Sequence, residues 1–278
     1  MLAEMGVRVW APRPPVAAQV TAPVAAEVPP AAVARTPAPS SVPAPAAPAT
    51  RPAPVRAPMN EAVVAAPQPV AAPVRLRPAG VDTMDWPALQ AAVAGCEACG
   101  LCRSRQNTVF GVGDRQADWM VIGEAPGENE DLQGEPFVGV AGQLLDNMLR
   151  AIGRSRTGSG AQAAYIANVL KCRPPANRNP LPEEVAQCEP YLARQVALVQ
   201  PKIILAMGRF AVQSLLQTSE PIGKLRGQVH RYQGVPVIVT YHPAYLLRTP
   251  GDKAKAWADL CLALETAAAA SPDRSAAN

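Results

Sequence analysis

The sequence predicts an α/β domain, a mostly parallel β-sheet covered by helices on both faces, preceded by a long disordered region. From residue 81 onward, short apolar runs alternate with segments of helical periodicity, which is typical of a parallel sheet. Before that point the chain consists largely of Pro, Ala and Val, with no polar–apolar period. Such a composition buries too little surface to offset the entropy lost on folding.

The proline-rich region sets the expected domain boundaries. Eighteen of the 32 prolines lie between Ala11 and Gly80, whereas strands of a folded β domain exclude proline. We therefore expect a disordered linker with polyproline bias over residues 12–80, a folded domain over 81–270 and a disordered tail over 271–278.

The net charge of +4 falls in the same region. Residues 1–80 hold seven Arg and three Glu, while the other 198 residues hold 19 basic and 19 acidic side chains. The basic balance is therefore no argument that the folded part binds nucleic acid. Any such site must come from local clusters of Lys and Arg.

The individual elements follow from apolar periodicity and from residues that bound helices. Asp85 is suited to cap a short helix, Pro87 to begin it and Gly95 to end it. Apolar runs predict strands at 119–123, 164–169, 202–206, 228–232 and 235–241. Helical spacing predicts helices at 144–152, 183–199, 210–216 and 252–269.

The expected cellular compartment decides how the cysteines are interpreted. No apolar run reaches the length of a membrane span, and the N-terminus lacks the charged and apolar segments of a signal peptide. We therefore expect a cytoplasmic protein, whose thiols bind a metal or cofactor before they form disulfides. Cys96 and Cys99 form a C-x2-C pair, and Cys172 and Cys188 stand 16 residues apart. From spacing alone, these four thiols fit zinc and an iron–sulfur cluster equally well.

A loop rich in glycine and carboxylates follows the first predicted strand. It runs from Gly123 to Asp131 and continues through Phe137 into an amphipathic helix. Loops at the carboxyl ends of strands line active sites in open α/β sheets. We therefore expect this loop to form part of an active site.

Four separated motifs carry a resemblance to a known family. They are Gly123-Glu-Ala-Pro-Gly127, Gly134-x-Pro-Phe-Val-Gly139, Tyr165-Ile-x-Asn-Val-x-Lys-Cys-Arg-Pro-Pro175 and His242-Pro-Ala-Tyr-Leu-Leu-Arg248. With the cysteines, they are similar to the motifs of the family 4 uracil-DNA glycosylases, the iron–sulfur branch of the uracil-DNA glycosylase superfamily. The resemblance implies a three-layer α/β/α fold with a central, mostly parallel four-stranded sheet.

The resemblance also implies an activity and a cofactor. The activity is excision of uracil from deaminated DNA by hydrolysis of the N-glycosidic bond, which initiates base excision repair. The cofactor is a [4Fe-4S] cluster with a structural role, held by Cys96, Cys99, Cys172 and Cys188.

Uracil excision gives roles to the motif residues. Breaking the bond between uracil N1 and the sugar C1′ leaves positive charge on the sugar and negative charge on the base, and the base must first leave the stack. By resemblance, Phe137 stacks on the uracil, Asn168 reads its O4 and N3–H edge, and His242 donates to O2. Gly123 and Glu130 complete the substrate-binding set, with Glu130 beside uracil C5, where it excludes the methyl of thymine.

Glu124 is the expected catalytic carboxylate. Near C1′ it would stabilise the sugar cation or position the attacking water, as carboxylates do in glycoside hydrolysis. Five carboxylates lie within twelve residues of this loop, and all five facing DNA would repel phosphate. Family 1 relatives carry an aspartate as water activator in the equivalent loop, where this chain has Ala125, so the activation of the water is unassigned.

Contacts to DNA are expected from basic residues beside the motif loops. These residues are Lys171, Arg173, Arg178, Lys224, Arg226 and Arg248. Next to His242, one of Leu246 and Leu247 could wedge into the gap left by the flipped base, or both could pack in the core.

The first residues suggest a second partner. Residues 1–11 form a short amphipathic cluster with Met5, Val7 and Trp10, ahead of the linker. They resemble the N-terminal peptide with which the psi subunit of bacterial DNA polymerase III docks on the clamp loader. We therefore expect a tether to the replication machinery, with the linker raising the effective concentration. For the domain we expect a monomer that binds uracil-containing DNA, single- or double-stranded.

Two other functions compete with the glycosylase. One is a uracil-DNA binding protein that traps the sugar covalently through a histidine in a Lys/Arg-rich insertion, but the loop at 173–182 has neither feature. The other is an iron–sulfur or zinc scaffold without catalysis.

Overall fold

The part of the protein that the computed structural model describes, residues 77–270, is built on one five-stranded sheet. The docking peptide expected at 1–11, most of the linker at 12–80 and the tail at 271–278 lie outside the described residues. The strands are β1 (Trp119–Gly123), β2 (Ala164–Asn168), β3 (Ile203–Met207), β4 (Val229–Tyr232) and β5 (Val235–Thr240), in the order β2-β1-β3-β5-β4.

The mostly parallel sheet is confirmed, with one strand more than expected. β2, β1, β3 and β5 are parallel, and β4 pairs antiparallel with β5 at the edge. The turn between β4 and β5 consists of Gln233 and Gly234, both at positive φ (48° and 83°). Two such residues are typical of a tight hairpin, so β4 joins the sheet beside its neighbour in sequence.

Eight α-helices flank the sheet among the described residues. They are α1 (Trp86–Ala94), α2 (Glu128–Gln133), α3 (Val140–Ala151), α4 (Pro182–Val199), α5 (Arg209–Leu216), α6 (Ile222–Leu225), α7 (Pro243–Arg248) and α8 (Lys253–Ala269). None of the helices within residues 77–270 is both long and apolar enough to span a bilayer.

Alternate residues of each strand supply the two faces of the sheet. In β1, Met120 and Ile122 pack in the cluster that contains residues of α4 and α5. Trp119 and Val121 pack in the other cluster, with residues of α3, α7 and α8. Because both faces are covered by helices, the three-layer α/β/α fold class is confirmed.

The first helix brings the cysteine loop to α4. Asp85 caps α1 by accepting the N–H of Ala88 at 3.0 Å, and Leu89 and Val93 are buried with Tyr191 of α4. The chain leaving α1 is therefore held close to the helix that carries Cys188.

The carboxyl ends of the parallel strands meet at one edge of the sheet. Gly123 at the end of β1 lies directly beside Asn168 at the end of β2. β3 leads through Gly208 into α5, and β5 leads through Tyr241 to His242, which begins α7. The residues predicted from three separate motifs therefore meet at this edge.

Candidate active site

A cavity of about 890 Å³ opens at this edge of the sheet. Five predicted pocket residues line it: Glu124, Glu130, Phe137, Asn168 and His242. The sixth, Gly123, lies beneath them. A Cβ at Gly123 would lie 2.5 Å from Phe137 Cζ and closer still to Asn168 Oδ1, so only glycine allows both side chains to take these places.

Asn168 presents an acceptor without a protein partner. Its side chain is 2% exposed, and among the described residues no group donates to Oδ1. A buried polar atom normally has a hydrogen-bond partner. Asn168 lines the cavity while its Oδ1 packs against Gly123, so a donor bound in the cavity reaches this acceptor when the amide turns toward it.

His242 is held as a neutral ring with a defined tautomer. Its Nδ1 accepts the backbone N–H of Ala244 at 3.2 Å, so in the neutral ring the proton lies on Nε2. Desolvation, followed by the positive charge of Arg248, lowers the pKa of His242 to about 4. At neutral pH the ring is therefore an uncharged N–H donor. The Phe137 ring stacks on it, with the centroids 5.4 Å apart.

Glu124 is a partly buried carboxylate at the end of β1. Its carbonyl accepts the N–H of Leu170 at 3.1 Å, which fixes the backbone beside β2. Burial raises the pKa of Glu124 to about 6, and the nearby Arg209 opposes that rise. Arg209 is exposed, begins α5 and lines the cavity. It was not predicted, because no motif marks this arginine in the sequence.

Glu130 is braced by the backbone of its own loop. Oε2 accepts the N–H of Gly127 at 3.1 Å, and Oε1 accepts that of Val138 at 3.1 Å. Both oxygens are therefore occupied, and the side chain forms a fixed part of the cavity wall.

Two of the side chains predicted to contact DNA are engaged inside the protein. Lys171 is 1% exposed, and its Nζ donates to the Asn168 carbonyl at 2.7 Å and to Gln195 Oε1 at 2.6 Å. Arg226 forms a two-bond pair with the buried carboxylate of Asp259, at 2.7 and 2.8 Å. Neither side chain can reach a phosphate without breaking these bonds.

The other four basic residues lie nearer the surface. Arg178 lines the cavity but makes a two-bond ion pair with Glu184. Arg173 bonds Asn177 Oδ1 at 2.8 Å. Lys224 and Arg248 are exposed, and Arg248 lines the cavity.

Of the two candidate wedge residues, Leu246 is fully buried and Leu247 is 40% exposed. Leu246 is therefore part of the core.

The four predicted ligand cysteines come from three segments that face one another. Burial raises the pKa of the Cys172 thiol to about 11 and of the Cys188 thiol to about 12, and Cys99 adds to the rise at both. Arg105 Nη1 donates to Cys172 Sγ at 3.2 Å and to the Cys96 carbonyl at 2.7 Å. Within residues 77–270, no three His, Cys, Asp or Glu side chains meet the geometry of a metal site.

Comparisons with known proteins agree with this arrangement. The family profile described as the uracil DNA glycosylase superfamily matches residues 110–261. A type-4 uracil-DNA glycosylase of Archaeoglobus fulgidus is 44% identical over 166 residues, which cover 57% of this chain and 81% of that protein. A type-4 enzyme of Saccharolobus solfataricus is 43% identical over 57% of this chain and 75% of its own length. A type-4 enzyme of Pyrobaculum aerophilum is 40% identical over 64% of this chain and 93% of its own length. The chain therefore belongs to the uracil-DNA glycosylase superfamily, and within it to the type-4 branch.

Proposed function

We propose that the protein excises uracil from DNA by hydrolysing the N-glycosidic bond, and that the cavity is its active site. The observation that carries this proposal is the unpartnered Oδ1 of Asn168. Leaving a buried acceptor unpaired costs about 1–3 kcal/mol, and a ligand that donates to it recovers that free energy. The N3–H of uracil is such a donor, and uracil O4 accepts from Nδ2 of the same amide, whereas cytosine presents an acceptor at N3 and a donor at N4 and so mismatches this fixed orientation at both positions. Asn168 therefore selects uracil at the step of base binding.

His242 stabilises the base as it leaves. Its Nε2–H donates to uracil O2, where negative charge collects once the bond to C1′ breaks. Preorganised donors of this kind are worth about 3–4 kcal/mol in the transition state. A neutral imidazole suits the role, because its protonation state does not change across the physiological pH range.

Glu124 acts on the sugar. Its carboxylate is ionised above about pH 6, and a negative charge near C1′ stabilises the oxocarbenium-like sugar or orients the attacking water. Arg209 favours the ionised form, so the pair maintains the charge that the reaction needs.

Glu130 and Phe137 shape the pocket around the base. Phe137 supplies the face on which uracil stacks. Glu130 is held by two backbone N–H groups and cannot easily swing away, so the 5-methyl of thymine meets a fixed wall.

The DNA strand is held by the exposed basic residues at the cavity mouth and on the helix beside it. Arg248 and Lys224 are the candidates that the geometry favours, with Arg173 and Arg178 nearby but engaged in internal pairs. Leu247 is the residue available to fill the gap left by the flipped base.

The cysteines fit a [4Fe-4S] cluster, held by Cys96, Cys99, Cys172 and Cys188. Four thiols with the Arg105 guanidinium bonded to Cys172 Sγ suit a centre whose cysteine ligands are thiolates. When bound, the cluster supplies a cross-link between the loop after α1, the loop after β2 and α4, which stabilises the edge that carries Asn168.

The decisive experiment measures uracil release together with the absorbance of the purified protein near 400 nm. A uracil-containing oligonucleotide is incubated with the protein and then treated with alkali. We expect cleavage by the parent, and loss of it in Asn168→Ala and His242→Ala. His230→Ala is the matched control, since the other histidine bonds the Leu225 carbonyl and does not line the cavity.

Other outcomes would reject the proposal in different ways. A DNA adduct that resists denaturation would indicate a trapping protein. A colourless protein without absorbance near 400 nm that leaves the DNA intact would indicate a scaffold. Cluster loss in Cys172→Ser, read from the same absorbance, tests the ligand assignment separately from activity.

A further inference from the structure

The backbone of Phe137 is strained. Its φ is 56°, in the left-handed region that bulky side chains rarely adopt. Among the described residues the other non-glycine positions with positive φ are Ala, Asn and Gln. Strain of this kind persists only where the surrounding structure holds it.

Arg156 supplies such a constraint. Its Nη1 donates to the Pro136 carbonyl and its Nη2 to the Phe137 carbonyl, both at 2.9 Å. In an extended strand successive carbonyls point in opposite directions, so one guanidinium can take both only where the chain turns. The two Nη donors of Arg156 therefore form a fork that fits the turn produced by the left-handed conformation of Phe137.

Arg156 is itself held in place. Its Nε donates to Asp146 Oδ1 at 2.8 Å, and the side chain is only 14% exposed. Asp146 lies on α3, and a Cβ at Gly142 in the same helix would overlap the Phe137 carbonyl. The first turns of α3 and the guanidinium of Arg156 therefore enclose the Phe137 peptide.

We propose that Arg156, oriented by Asp146, is a positioning residue that holds Phe137 in its left-handed conformation and so places the ring in the uracil pocket. Arg156 does not line the cavity. It acts through Phe137, whose ring rests on Gly123 and stacks on His242. The catalytic part of this inference rests on the proposed function, whereas the conformational part does not.

The first test measures the ring directly. The chain contains three phenylalanines, Phe110, Phe137 and Phe210, so labelling with fluorophenylalanine gives three fluorine resonances, with that of Phe137 assigned by Phe137→Leu. We expect Arg156→Met to shift or broaden the Phe137 resonance and to leave the other two in place. Arg150→Met is the matched control, because Arg150 is exposed on α3 and bonds only Asn147 in its own helix. An unmoved Phe137 resonance in Arg156→Met would overturn the proposal.

The second test is a double-mutant cycle on uracil release. Arg156→Met should lower kcat/KM by about tenfold or more, since misplacement by about 1 Å can cost a hundredfold. In the Phe137→Ala background the same substitution should have less than about a twofold effect, because residues that act through one another are not additive. Equal losses in both backgrounds would show that Arg156 acts elsewhere.

Further variants keep the proposal falsifiable if Arg156→Met does not fold. Arg156→Lys retains the charge without the fork, and Asp146→Ala removes the acceptor of the Arg156 Nε–H. Both should move the Phe137 resonance in the same direction. A parent that released no uracil would refute the proposed function, and the fluorine spectra would still decide the conformational role of Arg156.

Discussion

A single methyl group at Gly123 tests the packing of the pocket. In Gly123→Ala the new Cβ would lie 2.5 Å from Phe137 Cζ, whereas carbon atoms in contact stand about 3.5–4.0 Å apart. The aromatic ring, the Asn168 amide or the backbone must therefore move by about 1 Å. Displacements of that size in a catalytic site cost on the order of a hundredfold in rate, and overpacking of this kind destabilises a protein by about 1–3 kcal/mol.

The expected result is a loss of about a hundredfold in kcat/KM for uracil release, with a lower thermal midpoint. The assay is cleavage of a labelled uracil-containing oligonucleotide after alkali, run well below the unfolding temperature of the variant. Gly223→Ala is the matched control, because Gly223 lines the same cavity but, within residues 77–270, no atom beyond its chain neighbours and its own helix backbone lies within 4 Å of its added Cβ. A Gly123→Ala protein with parental kcat/KM would refute the placement of Asn168 and Phe137.

Four further predictions concern Glu124, the basic residues and the N-terminal peptide. The raised pKa of Glu124, about 6, means that kcat/KM should rise with pH up to about 7, whereas Glu124→Gln should be about a hundredfold slower and lack this dependence. Because the pKa of Glu124 in the folded protein lies above the ordinary value, the ionised side chain lowers the free energy of unfolding above pH 6. Glu124→Gln should therefore unfold at a higher temperature than the parent at pH 8. An unchanged unfolding temperature would contradict the burial of this carboxylate. Arg248→Ala should reduce the slope of log affinity for DNA against log salt concentration by about 1, measured by binding titrations. Lys171→Met should leave that slope unchanged but lower the thermal midpoint of unfolding, measured by thermal melts. A pull-down with residues 1–15 should retrieve clamp-loader proteins, and retrieval of no replication protein would end the docking hypothesis.

The sheet and the pocket residues were predictable because their signals are local. Each parallel strand is a short apolar run, and the ends of parallel strands must meet at one edge. Asn168 ends one such run and His242 follows another, both within recognisable motifs, so their convergence required only the topology. The edge strand β4 changed the strand count, because whether a hairpin joins the main sheet depends on tertiary packing.

The basic residues were harder to predict because a charge in a loop looks the same whether it faces inward or outward. Lys171 lies in a motif beside Cys172, yet its acceptors are a carbonyl three residues away and Gln195 of α4. Arg226 finds its carboxylate in Asp259, 33 residues later. Arg156 binds carbonyls about 20 residues earlier. No short-range pattern reports such partners.

The acidic loop posed the opposite problem, since five carboxylates beside a DNA site would repel phosphate. Glu130 is bonded to backbone N–H groups of its own loop, and the buried Asp131 accepts the N–H of Gln106 at 3.0 Å. Glu128 Oε2 lies 3.4 Å from Arg173 Nη2, and the side chain of Glu135 is exposed to solvent.

Two of the five carboxylates, those of Glu130 and Asp131, therefore stabilise the shape of the loop. Asp131 ties the loop to the segment whose neighbour Arg105 bonds Cys172, so the pocket and the cysteine segments form one bonded unit. Glu124 is the carboxylate of the five whose pKa burial raises to about 6. A negative charge at that point is what a developing sugar cation requires. Glu130 lines the same cavity, but its two oxygens accept backbone N–H groups.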